Sequence, residues 1–215
     1  MQFLLDAGTA VISDIFDSNG IEPPVLSEGL FAIQPGTRFV GPAFTVLGAS
    51  VTFHGAGDRE KLAAIDGMAP GVVPVWAGSD IHGVCCFGDL LGEAMKVRGC
   101  AGVVVDGGVR DVAYLRELML PVVARYRTPA QAIGRWKVTA HQIPVQVRGA
   151  LTDWVTVNPG DLVVADEDGV LIVPASDADS VAAEAARWAG AESEARDAIR
   201  QGMSLVTALD RYGHL

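Results

Sequence analysis

Apolar and polar residues follow two rhythms along this chain, one helical and one extended. From Thr9 to Asn19, the residues Val11, Ile12, Ile15 and Phe16 recur at the spacing of one helix face. Gly20 stands where a helix would stop, so a short helix is expected there. A connection through Pro23-Pro24 leads to Phe39–Val46, which reads as a strand broken at Gly41-Pro42. Arg59 to Ile65 reads as a helix with Leu62, Ala63 and Ile65 available for packing. Gly71 to Trp76 reads as a strand that Pro74 assigns to an edge or an irregular position.

The middle of the chain has the clearest rhythm. Gly88–Arg98 reads as a helix, Ala101–Asp106 as a strand, Val112–Glu117 as a short helix and Pro121–Ala124 as a strand. Strand–helix–strand alternation with short Gly-containing links predicts parallel βαβ units and an α/β fold. After Thr139 the pattern turns to strands: Val145–Val147, Val155–Val157, Asp161–Asp166 and Val170–Val173, with Gly160 and Gly169 at turns. A polar, alanine-rich segment from Asp177 to Arg200 reads as a projecting C-terminal helix. There is no linker-like tract and no internal repeat, so residues 1–215 are expected to form one domain.

Composition narrows the function. Half of the 215 residues are apolar and the mean hydropathy is +0.31, which favours a buried core over disorder. A formal net charge of −10 argues against a nucleic-acid partner, which would need a basic stripe. No apolar run approaches the roughly 20 residues of a spanning helix, and no leader pattern opens the chain, so a cytoplasmic protein without a membrane partner is expected. Cys85, Cys86 and Cys100 lack the spacing of a zinc site, and His54, His82, His141 and His214 are scattered. A histidine-rich metal centre is not expected.

The candidate chemistry surrounds the Val103–Val105 run. That run reaches Asp106-Gly107-Gly108, read as the turn that ends a strand, and then Arg110-Asp111. A buried strand followed by glycine punctuation brings polar groups to the carboxyl edge of a sheet. Arg110 offers a planar fork of donors for a carboxylate or an enolate-like oxygen. Asp111 offers one oxygen to a Mg²⁺-like ion, which keeps water and needs few protein carboxylates. Upstream, Gly88-Asp89-Leu90-Leu91 opens a helix whose first N–H groups can cradle a carboxylate, and Asp89 could orient a water on the metal. Each piece also has a plainer reading. Arg110-Asp111 can be a surface ion pair, Asp89 an N-cap and Asp106 a turn residue.

Other segments offer less. His54–Asp58 is glycine-rich but lacks the Lys-Ser/Thr of a phosphate loop, and Asp166–Gly169 suits a solvated hairpin turn better than a calcium loop. Lys61, Lys96 and Lys137 are the chain's lysines, and none lies in the motif, so no Schiff base is expected. Ser-His-Asp catalysis has no elbow motif to support it.

Gly88–Leu91, Arg98-Gly99 and Gly102–Asp111 together resemble the RraA-like family, which contains class II 4-hydroxy-4-methyl-2-oxoglutarate / 4-carboxy-4-hydroxy-2-oxoadipate aldolases. Thr9–Gly20, Gly41–Val46, Asn158–Asp166 and Asp168–Val170 extend the resemblance over most of residues 9–200. The resemblance implies a swivelling-type ββα sandwich, assembled as a trimer or hexamer with active sites between subunits. It also implies a Mg²⁺- or Mn²⁺-dependent aldolase that releases pyruvate from 2-oxo acid substrates and also decarboxylates oxaloacetate.

By position, Gly88, Asp89, Leu90 and Leu91 would bind the substrate carboxylate. Arg110 would stabilise the enolate, Asp111 would bind metal, and Asp89 would act on the metal's waters. A glutamate from a neighbouring subunit's C-terminal helix would complete the site, with Glu184, Glu192 and Glu194 as candidates. Residues 76–87 and 54–60 depart from the family pattern, which leaves the substrate open. The family also contains a non-catalytic regulator that binds and inhibits the endonuclease RNase E and lacks the acid after the arginine; Asp111 favours catalysis here. A methyltransferase reading is rejected, because no Gly-rich strand–loop–helix is present to hold a nucleotide-like methyl donor.

Overall fold

A computed structural model of the chain describes residues 1–52 and 58–213; His54–Gly57 of the glycine-rich segment, and His214, lie outside them. Helix α1 (Gln2–Ser18) starts earlier than its apolar rhythm announces, because two helical pieces meet at Gly8, whose φ of 84° breaks the repeat. Val11, Ile12, Ile15 and Phe16 are buried as their spacing requires. A two-residue strand β1 (Phe31–Ala32) follows, then β2 (Phe39–Ser50). Gly41-Pro42 does not interrupt β2 but marks a change of partner along it.

Next come α2 (Arg59–Asp66), β3 (Val73–Ala77), β4 (Cys85–Phe87), α3 (Asp89–Val97), β5 (Val103–Val109), α4 (Val112–Glu117) and β6 (Val122–Arg127). Strands β7 (Trp136–His141), β8 (Val145–Arg148), β9 (Trp154–Val157), β10 (Leu162–Ala165) and β11 (Val170–Val173) precede α5 (Ala178–Arg200) and α6 (Leu205–Tyr212). The sequence reading does not anticipate β1, β4, β7 or α6.

Among the described residues, nine strands form one mixed sheet in the order β1-β6-β5-β3-β2-β10-β11, with β4 beside β5 and β7 beside β2. Strand β2 joins its two halves. Phe39–Pro42 pair antiparallel with β10, and Ala43–Leu47 pair parallel with β3. The parallel β2–β3, β3–β5 and β5–β6 ladders are the expected βαβ core. Pro74 sits in this centre, not at an edge. Pairing to β5 begins only at Val75, so the proline stands near the strand start, where a missing N–H is tolerated.

Both faces of the parallel section are covered, which explains its near-continuous apolar sequence. Trp76, Phe87, Met95, Val103, Val105, Leu115 and Trp136 pack together on one side. Val73, Val75 and Val104 pack with Val145, Val147, Val155 and Val157 of the β8–β9 hairpin on the other. Val181 and Ala185 of α5 join Leu4, Ile12, Ile15 and Leu171 in a third cluster, so the C-terminal helix is anchored on α1 and does not simply project. On α2, Ala64 and Ile65 face inward, while Leu62 and Ala63 are exposed.

Candidate active site

The Gly107-Gly108 pair is not a turn. Strand β5 runs through it to Val109, with a register shift between Val105 and Gly108. A Cβ on Gly108 would lie 2.5 Å from both the Tyr126 ring and the Val84 carbonyl oxygen. Glycine is required there by close approach, and the signal for a turn came from the same lack of a side chain. Asp106 is likewise no turn residue. It continues the alternation onto the Val104 face, where it is buried. Its Oδ1 lies 3.0 Å from Arg125 Nε, while Oδ2 has no hydrogen-bond partner among the described residues. Burial pushes this carboxyl above the usual carboxylate range, and the Arg125 charge opposes the shift.

At its carboxyl end β5 delivers Arg110 and Asp111 as expected. The Arg110 backbone N–H donates to Phe87 O at 3.1 Å, tying this end to the residue before Gly88. Asp111 occupies the left-handed region at φ 56°, at the N-cap position of α4, and its side chain does not cap that helix. It turns to the neighbouring helix instead. Asp111 Oδ2 accepts from the Asp89 backbone N–H at 3.3 Å and from Arg110 Nε at 3.2 Å. Gly88 makes this approach possible: a Cβ there would stand 2.7 Å from Asp111 Oδ2.

The α3 N-terminus thus already handles carboxylates. Asp89 Oδ1 accepts from the Leu90 N–H at 2.7 Å, while the amides of Gly88 and Leu91 have no hydrogen-bond partner among the described residues. Arg110 and Asp111 are 44% and 36% exposed at their side chains, accessible to a ligand. Neither Arg110 Nη atom, Asp111 Oδ1 nor Asp89 Oδ2 has a partner among the described residues. Gly88, Asp89, Leu90, Leu91 and Arg110 line one hollow of about 240 Å³. Arg110 and Asp111 also border a second, of about 450 Å³, with Arg127 and Thr128.

Lys61, Cys85, Gln131 and Ile133 line the first hollow too, unannounced by the sequence motifs. Asp58, the last residue of the glycine-rich His54–Asp58 segment, lines the same wall. Burial pushes the Cys86 thiol up to about 12 and Cys85 in the same direction, so neither offers a thiolate at neutral pH. His82 stacks on Tyr126 and His141 on Phe44. Of the candidate glutamates, Glu184 accepts from Asn19 and Arg187, and Glu192 from Arg196. Glu194 borders a separate hollow between α5 and α6. No described helix is long and apolar enough to cross a membrane.

The fold and edge site define an α/β protein in which Arg110, Asp89 and a helix N-terminus line one hollow, while Asp111, bonded to that N-terminus, borders the next. Residues 9–172 match the RraA-like family, described as Aldolase/RraA, and the chain belongs to that family. It is 40% identical over 170 residues to the 4-hydroxy-4-methyl-2-oxoglutarate aldolase of Thermus thermophilus, covering 79% of this chain and 94% of that one. It is 29% identical to Protein DlpA of Legionella pneumophila over 99% of its own length, but spans only 33% of DlpA. Among solved structures, it resembles Streptomyces coelicolor RraAS2, described as an unusual member of the RNase ES inhibitor RraA family, with a TM-score of 0.76 at 28% identity. That match covers 91% of this chain and 94% of RraAS2.

Proposed function

We propose that the protein is a divalent-metal-dependent aldolase that cleaves 4-hydroxy-2-oxo diacids of the 4-hydroxy-4-methyl-2-oxoglutarate type into pyruvate and a second keto acid. Oxaloacetate decarboxylation would be a side activity of the same site. The observation that carries this reading is the contact of Asp111 with both Arg110 and the Asp89 amide, at the α3 N-terminus that lines a hollow with Arg110. The Thermus thermophilus relative's name supports it.

The donor set fits Mg²⁺ or Mn²⁺. Asp111 presents an oxygen without a protein partner, and no cluster of three or more His, Cys, Asp or Glu side chains able to hold a metal occurs among the described residues. A hard cation that keeps its waters and takes substrate oxygens suits one carboxylate, whereas a zinc-type cage would need more ligands. Bound at Asp111, such an ion would supply Lewis acidity to the 2-oxo group.

The chain's own residues then divide the work. The free amides at the α3 N-terminus receive the substrate's first carboxylate. As the C4-hydroxyl proton leaves, C4–O becomes the carbonyl of the second keto acid and the C3–C4 pair forms the C2=C3 bond. Arg110 donates through its Nη atoms to the 2-oxo oxygen, where the charge gathers. Asp89, through its unpartnered Oδ2, orders the water that takes up the C4-hydroxyl proton. Proton return to C3 from water completes pyruvate.

Assembly as a homotrimer or hexamer, with sites between subunits, belongs to the same proposal. Leu90, Val97 and Met119, on or just beyond the helices flanking the site, are largely exposed and apolar, as a subunit contact would use. The test is pyruvate release from 4-hydroxy-4-methyl-2-oxoglutarate before and after EDTA. Turnover that survives complete metal removal would overturn the mechanism. The likeness to RraAS2 supports a second reading, a non-catalytic inhibitor of RNase E. Capture of that endonuclease, with no lyase activity on several 2-oxo acids, would establish it instead.

A further inference from the structure

Among the described residues two cations, Arg110 and Lys61, line the site hollow, and the proposed cleavage uses Arg110. Lys61, in the first turn of α2, lines the hollow that holds Arg110 and the α3 N-terminus. It also lines an adjoining hollow of about 160 Å³ beside Trp136 and Lys137, so it stands at the seam between them.

Hydrogen bonds to Asp58 hold the start of its helix in place. Asp58 caps α2, with Oδ1 accepting the Lys61 backbone N–H at 3.1 Å and Oδ2 accepting the Val138 N–H at 2.8 Å. Both oxygens of Asp58, which lines the same hollow, are thereby engaged by backbone amides. Among the described residues the Lys61 ammonium has no ion-pair partner, although the side chain is half-buried. Its charge reaches the hollow's floor, where it opposes the rise that burial imposes on the Cys85 and Cys86 thiols. A half-buried cation with no ion-pair partner among the described residues, beside a helix terminus that binds carboxylates, is arranged for a second anion.

The proposed substrate has such an anion. With its first carboxylate on the α3 amides and its 2-oxo oxygen on Arg110, the distal carboxylate lacks a partner. Apart from the cations Lys61 and Arg110, the acids Asp58 and Asp89 and the thiols of Cys85 and Cys86, the other side chains of the wall are apolar, except the neutral Gln131. Arg59 and Lys137 line the adjoining hollow, and Arg127 is a further cation near the site. It faces the separate hollow on the Asp111 side, with its guanidinium 4.7 Å over the Phe31 ring.

We propose that Lys61 binds the distal carboxylate of the substrate and makes the protein select diacids over 2-oxo monoacids. The inference rests on the aldolase reading for the substrate's identity, and binding tests it separately from turnover.

Calorimetric titration with Mg²⁺ present compares 2-oxoglutarate with 2-oxobutanoate on the wild type and on Lys61→Met, Lys61→Arg and Arg127→Met. The wild type should prefer the diacid. Loss of one charge-assisted hydrogen bond in Lys61→Met should weaken 2-oxoglutarate binding by roughly tenfold or more and change 2-oxobutanoate by less than about twofold. Lys61→Arg should keep most of the preference, and Arg127→Met all of it. Pyruvate release from 4-hydroxy-4-methyl-2-oxoglutarate should show the Lys61→Met defect in KM and not in kcat. Release from 4-hydroxy-2-oxopentanoate, which lacks the distal carboxylate, should be unaffected. An equal loss for both acids, no loss, a wild type without preference, or a preference removed by Arg127→Met would each overturn the proposal. A wild type that prefers the diacid in binding but cleaves neither hydroxy acid would overturn the aldolase reading and leave Lys61 as the selecting residue.

Discussion

Asp111 Oδ2 lies 3.3 Å from the backbone nitrogen of Asp89, a residue 22 positions earlier in the chain. This contact joins the end of β5 to the start of α3 and leaves one oxygen on each carboxylate without a partner among the described residues. It sets a metal-type oxygen beside the amides that would receive a substrate.

Asp111→Asn should retain the fold, because asparagine tolerates the left-handed backbone that Asp111 adopts and still offers an oxygen to the Asp89 N–H. Metal-dependent pyruvate release should be lost. Thermal melts should show Mn²⁺ raising the wild-type midpoint and not the variant's. Asp111→Ala should lose activity as well and be less stable by about 1 kcal/mol or more, the cost of an alanine in that conformation.

Arg110→Ala should lower the rate by on the order of 10²-fold or more, as loss of an oxyanion-stabilising donor typically does. Its stability should hardly change, since the side chain is 44% exposed and, among the described residues, hydrogen-bonds only to its neighbour Asp111. Steady-state kinetics beside urea unfolding separates the two effects.

Two glycine substitutions should fail in different ways. A Cβ at Gly88 meets the side chains of Asp111 and Arg110, which can move aside, so Gly88→Ala should fold and lose activity. At Gly108 the Cβ meets the Val84 backbone and the Tyr126 ring, which cannot easily shift. Gly108→Ala should cost about 1–3 kcal/mol in urea unfolding, the usual penalty of overpacking.

The pair Asp106–Arg125 should be asymmetric to mutation. Arg125→Met leaves the buried Asp106 carboxyl unpaired and should cost about 3–5 kcal/mol. A double variant with Asp106→Asn should recover part of that loss, because it removes the stranded charge. A double-mutant cycle in urea reads the difference.

Acid should expose Asp80. Arg148 holds its carboxyl below the usual range through paired hydrogen bonds of 2.9 and 2.6 Å. A depressed carboxylate stabilises the fold above its unfolded value, near about pH 4, and that contribution is lost as pH falls through the folded value. Thermal midpoints of the wild type should therefore exceed those of Asp80→Asn at pH 6 and converge with them as pH falls below about 4.

The elements were legible wherever one residue's neighbours in sequence were also its neighbours in space. Val11, Ile12, Ile15 and Phe16 announce α1, and the apolar run at Val103–Val105 announces a strand buried on both faces. Reading failed where a residue answered to a distant partner. Pro74 reads as an edge because its lack of an N–H is local, but its place in the sheet depends on where β5 begins to pair. Gly107-Gly108 reads as a turn because glycine is common there, whereas Val84 and Tyr126 are what exclude a side chain.

The candidate site divides along the same line. The sequence by itself determined the βαβ order and the placing of Gly88–Leu91 and Arg110-Asp111 at element ends, because periodicity and punctuation are local properties. Only the tertiary structure decided that Asp111 turns to the Asp89 amide, that Asp106 is buried against Arg125, and that Lys61 stands in the same wall as Arg110. Those relationships depend on sheet order and register, which are set by packing between segments far apart in the chain.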